Sequence, residues 1–178
     1  MTRPVTSRIV SENPTLSGLT MGVTRQGTGG TPNLWFEDLE RGQVYPLGSV
    51  TAERDEMLAF ARRYDPQWIH LDEEKMRASS WGGLIAPGMW TAAAVMRLYV
   101  DSFLSRAAPD SSPGMEELRW LAPVYPGDRL DAFLTVLETR PSSRGDHLGT
   151  VRLQVIANKG SDPVIRMTSR GWFYRRPS

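Results

Sequence analysis

The sequence predicts an α+β fold in which one antiparallel sheet wraps around a long central helix. The first observation is a run of apolar side chains at helical spacing over residues 88–105, which at ~1.5 Å per residue predicts a helix of about 27 Å, long enough to cross a sheet. The second is that four strand-like segments follow this helix with no further helical pattern between them. The third is the length, because 178 residues of which 40% are hydrophobic suit one domain with its own core.

A segment without periodic pattern precedes the domain. Residues 1–33 are rich in Thr, Ser, Gly and Pro, so we predict a flexible leader there and an ordered domain over residues 34–178. Arg3 and Arg8 are not followed by an apolar stretch. Neither a signal peptide nor a transmembrane helix is therefore predicted, and a cytoplasmic location is expected.

The first ordered elements are a short strand and an amphipathic helix. Residues 44–50 favour a strand, and Thr51 is the predicted N-cap of the helix that follows. The apolar face of this helix has i, i+3, i+4, i+7 spacing and consists of Met57, Phe60, Ala61 and Tyr64. Pro66 ends the helix, because proline disfavours a helical conformation in the residue before it. Asp65 is therefore expected at the helix exit.

The remaining elements are the central helix and the strands. Asp72 is expected to cap a short helical turn that runs to Arg77. Pro87 lies just before the central helix, a position compatible with a helix start. The strands are predicted over residues 118–124, 130–139, 148–158 and 163–174.

Composition excludes several kinds of site. The chain has no cysteine, which excludes disulfides, thiolate catalysis and zinc sites with sulfur ligands. Its two histidines, His70 and His147, are too few for a metal site built from histidines. The 21 Lys and Arg residues nearly balance the 20 Asp and Glu residues, so nucleic acid is not an expected partner.

Four motifs resemble the MaoC family of (R)-specific enoyl-CoA hydratases and dehydratases. They are FEDLERGQVY at 36–45, YDPQWIHLDEE at 64–74, GGLIAPGM at 82–89 and LRWLAPVYPGDRL at 118–130. The family pattern places an Asp and a His five residues apart and a Gly at the start of the central helix, which here are Asp65, His70 and Gly88. The resemblance spans about residues 35–176 and implies a hotdog fold. Because the chain has no internal repeat, a single hotdog unit is expected.

The resemblance also implies a reaction, which is addition of water to a 2-enoyl thioester or dehydration of a 3-hydroxyacyl thioester in fatty acid metabolism. This chemistry needs a base for water, an acid for the α-carbon and a hydrogen-bond donor for the thioester oxygen. By resemblance, Asp65 activates the water and His70 orients it and shares the protons, although the two roles could be exchanged. The free backbone N–H near Gly88 is the expected oxyanion hole, because the first amides of a helix lack intrahelical partners.

No metal or cofactor is implied, because acid and base groups suffice for this reaction. The substrate is expected to be an acyl-CoA or acyl-carrier-protein thioester with (R)-3-hydroxyacyl products. The family pairs two hotdog units into a continuous sheet, so a homodimer or higher homo-oligomer is expected, with no membrane partner.

Two departures from the family pattern bear on the pocket. Gln67 and Trp68 replace the family's Asn-Pro, and Pro87 replaces a His that often precedes the helix glycine. We expect Trp68, Pro87 and Trp90 to contact substrate, with ordinary core packing as the alternative for the tryptophans. Three other functions stay open: an unusual dehydration, isomerisation or cyclisation in specialised metabolism, a hotdog thioesterase, and a non-catalytic binding subunit.

Overall fold

A computed structural model describes residues 32–177 as a five-stranded antiparallel sheet. The order of the strands across the sheet is β1-β3-β4-β5-β2, and every neighbouring pair is antiparallel. The strands are β1 (Val44–Thr51), β2 (Pro109–Trp120), β3 (Arg129–Pro141), β4 (Leu148–Lys159) and β5 (Asp162–Tyr174). The β1 and β2 strands therefore form the two edges of the sheet.

Four α-helices lie between β1 and β2 along the chain. They are α1 (Arg54–Tyr64), α2 (Trp68–Leu71), α3 (Glu73–Arg77) and α4 (Gly88–Tyr99), and a short 3-10 helix covers Phe36–Asp38. The α4 helix continues as one π-helical turn over Val100–Leu104. The predicted central helix of residues 88–105 is thus confirmed, with a change of helix type in its last turn.

One hydrophobic core joins α4 to the sheet. The inward-facing side chains of β3 and β4 alternate with outward-facing ones, as the period of two of a strand requires. The buried residues that α4 adds to this core are Trp90, Ala92, Val95 and Tyr99. Burying each large apolar side chain stabilises the fold by about 1.5–3 kcal/mol. A sheet packed around a central helix is the hotdog arrangement that the resemblance implies.

The strand prediction for residues 118–124 is wrong in its bounds. The β2 strand begins at Pro109 and ends at Trp120, and it pairs with β5 along its length. It lies at the edge of the sheet and is exposed over most of its residues, so it lacks the alternation that marks a half-buried strand. Pro113 and Gly114 make its sequence resemble a loop. The other three predicted strands are confirmed.

The predicted N-cap of α1 is also corrected. Thr51 is the last residue of β1, where it pairs with Arg129, and the N-cap is Glu53. The chain stays extended because the Ala52 N–H donates to the Asp128 carbonyl at 2.8 Å. The prediction for Asp72 is confirmed, since its side chain caps α3 by accepting a hydrogen bond from the Lys75 N–H at 2.9 Å.

The predicted leader of residues 1–33 lies outside the described residues except for Pro32 and Asn33. The Asn33 N–H donates to the Arg106 carbonyl at 2.9 Å, so the backbone is bonded to the domain from this residue onward. Within residues 32–177, no helix is long and apolar enough to cross a membrane.

A stability prediction arises at Gly149, where β4 passes beneath the Phe36 ring. A Cβ atom at Gly149 would lie 1.9 Å from the Phe36 Cδ2 atom and 2.1 Å from its Cγ atom. We expect Gly149→Ala to lower the free energy of unfolding by about 1–3 kcal/mol, because overpacking forces the ring out of its place. Urea unfolding measures this change.

The matched control is Gly83→Ala. A Cβ atom at Gly83 would lie 3.8 Å from its nearest neighbour, the Tyr125 ring, which is ordinary van der Waals contact. We expect a change within about 0.5 kcal/mol there. Equal stability of the two variants would contradict the packing of Phe36 on Gly149.

Candidate active site

Asp65 lies where α1 ends. Its backbone has left the helical region, with φ −148° and ψ 66°, because Pro66 restricts the residue before it. The Asp65 N–H still donates to the Ala61 carbonyl at 2.9 Å, which fixes the carboxylate at the helix exit. The Gln67 side-chain amide donates to the Asp65 Oδ1 atom at 2.6 Å, so one carboxylate oxygen is oriented and the other faces His70.

His70 lies on α2 and is buried, with 6% of its side chain exposed. Its Nε2 atom is 3.3 Å from the Asp65 Oδ2 atom, and its Nδ1 atom is 3.0 Å from the Ile85 carbonyl oxygen. Asp65 lies at the predicted helix exit, and His70 belongs to the short helix that follows. The two side chains meet as their spacing predicts.

The partner of Nδ1 decides where the proton of His70 lies. A carbonyl oxygen only accepts hydrogen bonds, so Nδ1 is assigned the N–H. The Nε2 atom then approaches Asp65 with its lone pair, unless a proton lies on Nε2 or on the carboxylate. A carboxylate and an imidazole in contact are the side-chain types that acid-base chemistry needs.

The first turn of α4 adds hydrogen-bond donors to the site. Pro87 is the N-cap of this helix. Within residues 32–177, the backbone N–H groups of Gly88, Met89 and Trp90 have no acceptor. Such free amides carry the positive end of the helix dipole and suit a developing oxyanion.

One pocket of about 580 Å³ joins these groups. Asp65 and His70 line one side of this pocket. Gly88 and Met89, at the start of α4, also line it. Its large apolar lining residues, each more than 40% exposed, are Trp81, Met89, Trp120 and Leu121. The pocket thus combines the Asp65–His70 pair, the free amides of α4 and an apolar surface.

The structure brings together three of the predicted site residues and separates three others from them. Asp65, His70 and Gly88 line the pocket, whereas Trp68, Pro87 and Trp90 do not. The expectation that Trp68, Pro87 and Trp90 contact substrate stays a prediction.

Each of the three has another environment. The Trp68 ring lies under the Lys75 ammonium group, 4.6 Å from the ring centroid. Trp90 is 5% exposed and packs in the hydrophobic core, because it is on the face of α4 that meets the sheet. Pro87 is buried, and its carbonyl accepts from the Thr91 N–H at 3.2 Å.

Sequence reasoning missed two residues of the site, Gln67 and Trp120. Gln67 was visible only as a departure from the family pattern, although it is two residues from the carboxylate that it orients. The Trp120 Nε1–H donates to the Gly88 carbonyl oxygen at 2.7 Å. The signal for Trp120 was its place in LRWLAPV, within one of the four segments that resemble the family.

Comparisons with known proteins agree with this geometry. A family model described as "MaoC like domain" matches residues 39–159. The uncharacterised protein YdeM of Bacillus subtilis (strain 168) is 30% identical over 124 residues, which cover 70% of this chain and 88% of YdeM. The 3-hydroxyacyl-thioester dehydratase Z of Mycobacterium tuberculosis (strain CDC 1551 / Oshkosh) is 29% identical over 117 residues, which cover 65% of this chain and 78% of that protein.

A solved structure is also similar over most of the chain. The crystal structure of the MaoC-like dehydratase from Rhodospirillum rubrum is 39% identical in sequence with a TM-score of 0.74. The match covers 82% of this chain and 99% of that one. The likeness therefore extends over nearly all of that crystallised chain.

Proposed function

The chain belongs to the MaoC-like domain family, and from this membership we propose that it adds water reversibly to the double bond of a 2-enoyl thioester. Dehydratases among its relatives support a hydro-lyase at the level of the family. The observation that carries the finer proposal is the 3.3 Å contact between His70 Nε2 and Asp65 Oδ2, in a pocket that also contains the free amides of α4.

In the proposed reaction, a water molecule binds in the pocket beside Asp65 and His70 and contacts both side chains. Asp65 accepts a proton from this water, and the water oxygen forms a bond to C3 of the enoyl group. The electron pair of the double bond moves toward the thioester carbonyl and forms an enolate. The Asp65–His70 pair then returns a proton to C2, so the product has gained one water and the pair ends as it began.

The amides at the start of α4 have a separate role in this proposal. Negative charge develops on the thioester oxygen as the enolate forms, and the Gly88 N–H donates a hydrogen bond to it. Preorganised donors of this kind typically contribute about 10²- to 10³-fold in rate.

The substrate class follows from this chemistry and from the relatives. We propose an acyl-CoA or acyl-carrier-protein thioester, with the 3-hydroxyacyl form as the substrate in the reverse direction. Dehydratase Z is named for a 3-hydroxyacyl thioester, which supports that class. The (R) configuration of the product is proposed from the family resemblance.

A homodimer is part of the proposal. Within residues 32–177, β2 has β5 on one side and no strand on the other. Several large apolar side chains on this strand and beside it are exposed, namely Met89, Met115, Trp120 and Leu121. A second copy of the chain would cover this surface and extend the sheet.

The product of the reaction tests the proposal against the thioesterase alternative. We expect short, medium and branched 2-enoyl-CoA substrates to yield a 3-hydroxyacyl thioester whose mass is greater by one water, with the thioester intact. Mass spectrometry of the product and a thiol assay on the same sample separate the two reactions. Release of free coenzyme A without hydration would identify a hydrolase and contradict the proposal.

A further inference from the structure

Trp120 has a backbone that the sheet fixes. It is the last residue of β2 and pairs with Ile165 of β5. The next residue, Leu121, donates its N–H to the Val164 carbonyl at 2.8 Å. The base of the Trp120 side chain therefore has a defined position, although about half of the residue is exposed in the pocket.

The indole ring of Trp120 lies directly against Gly88. A Cβ atom at Gly88 would be 2.6 Å from the Trp120 Cε2 atom and 2.7 Å from its Nε1 atom, distances at which atoms overlap. The Nε1–H donates to the Gly88 carbonyl oxygen at 2.7 Å. The ring thus occupies the space that any side chain at position 88 would need, and it bonds the backbone there.

This bond acts on the part of α4 that most needs support. Gly88 is the first residue of the helix, and glycine is the residue with the least restricted backbone. The Gly88 carbonyl and the Met89 N–H belong to one rigid peptide plane, so fixing the oxygen also fixes the direction of that N–H. Groups that stabilise a transition state must be held to about 0.5 Å.

We propose that Trp120 is a positioning residue, whose indole N–H holds the Gly88–Met89 peptide so that the Met89 N–H faces the enolate oxygen beside the Gly88 N–H. The proposal rests on the proposed hydratase function. It assigns to Trp120 a role that a phenylalanine cannot perform, because a phenyl ring fills similar space but has no N–H. The indole acts through the backbone and does not touch the reacting atoms.

Two variants separate the N–H from the bulk of the ring. Trp120→Phe removes the donor and part of the ring, whereas site-specific replacement of Trp120 by 3-benzothienylalanine keeps a bicyclic ring and replaces the N–H with sulfur. We expect each to lower kcat by about 3- to 10-fold, the rate equivalent of one hydrogen bond, with KM within about twofold because the loss is in the transition state.

The control is Trp172→Phe. Trp172 lies outside the pocket, with the Arg144 guanidinium 4.2 Å from its ring centroid. We expect its kcat and KM to stay within about twofold of the wild type, since surface changes away from a site have small effects. An equal loss of kcat in this variant would attribute the effect to general destabilisation.

A second readout does not require activity. The Ala92 N–H is the expected intrahelical donor to the Gly88 carbonyl, so its hydrogen exchange reports on the first turn of α4. We expect exchange at Ala92 to be at least threefold faster in both Trp120 variants than in the wild type, measured by NMR on the full chain.

The outcomes distinguish this proposal from the proposed function. Unchanged kcat and unchanged exchange in both variants would overturn the role of Trp120, as would a loss in Trp120→Phe that the benzothienyl variant does not share. Absence of hydration by the wild type would overturn the proposed function. In that case, faster exchange at Ala92 in the Trp120 variants would still show that the indole stabilises the first turn of α4. Unchanged exchange would show that it does not.

Discussion

Asp65→Asn is expected to lower kcat/KM for enoyl thioester hydration by about 10²- to 10⁴-fold, the usual contribution of a general acid or base. Asparagine has nearly the shape of aspartate, and its Oδ1 atom can still accept the hydrogen bond from Gln67. Its amide group can donate to His70 Nε2 across the same contact but cannot accept a proton from water. The variant therefore keeps the fold and loses the chemistry.

The control for this variant is Asp55→Asn, the same substitution near the start of the same helix. The Asp55 side chain is 97% exposed, beside Arg54, and it lies outside the pocket. Its kcat/KM should stay within about twofold of the wild-type value. If Asp65→Asn also remained within threefold of the wild type, the carboxylate would not be the base.

Replacing His70 is expected to have an effect of similar size, and two variants separate its ring nitrogens. In His70→Asn the amide can take the place of Nδ1 and donate to the Ile85 carbonyl. In His70→Gln the amide can reach the place of Nε2 and contact Asp65. Neither amide exchanges a proton near neutral pH, so we expect both variants to lose about 10²- to 10⁴-fold in kcat.

The two His70 variants are expected to differ in stability. His70→Gln leaves the Ile85 carbonyl without its partner, and a lost partner of a buried polar group costs about 1–3 kcal/mol. His70→Asn keeps that bond and should unfold closer to the wild type in urea. His147→Asn, at the exposed second histidine, is the matched control. Retention of wild-type kcat by either His70 variant would show that the imidazole is not required.

The contact between Asp65 and His70 was predictable from the family resemblance, in which these two residues stand five positions apart. Asp65 and His70 are five residues apart, and Pro66 ends the first helix so that Asp65 lies at its exit. The start of α4 was equally visible, since helical spacing and Pro87 mark it in sequence. The hotdog arrangement then followed from one long helix and a series of strands.

Local sequence could not show which tryptophans line the pocket. Trp68 and Trp90 are close to the pair in sequence, whereas Trp120 reaches Gly88 across 32 residues. Trp90 is buried because it lies on the side of α4 that meets the sheet. The rotation of α4 about its own axis sets this side, and it depends on packing throughout the core. Most of the β2 strand was missed for a related reason, because an exposed edge strand has no alternating pattern.

The central claim is that Asp65 and His70 act as one proton-exchanging pair that hydrates an enoyl thioester. The most direct measurement is the rate at which the wild type and Asp65→Asn remove the enoyl thioester absorbance of crotonyl-CoA in the same buffer. We predict hydration by the wild type and a rate lower by at least about 100-fold in the variant. A wild type that leaves crotonyl-CoA and longer or branched enoyl thioesters unchanged, or a variant as fast as the wild type, would contradict the claim.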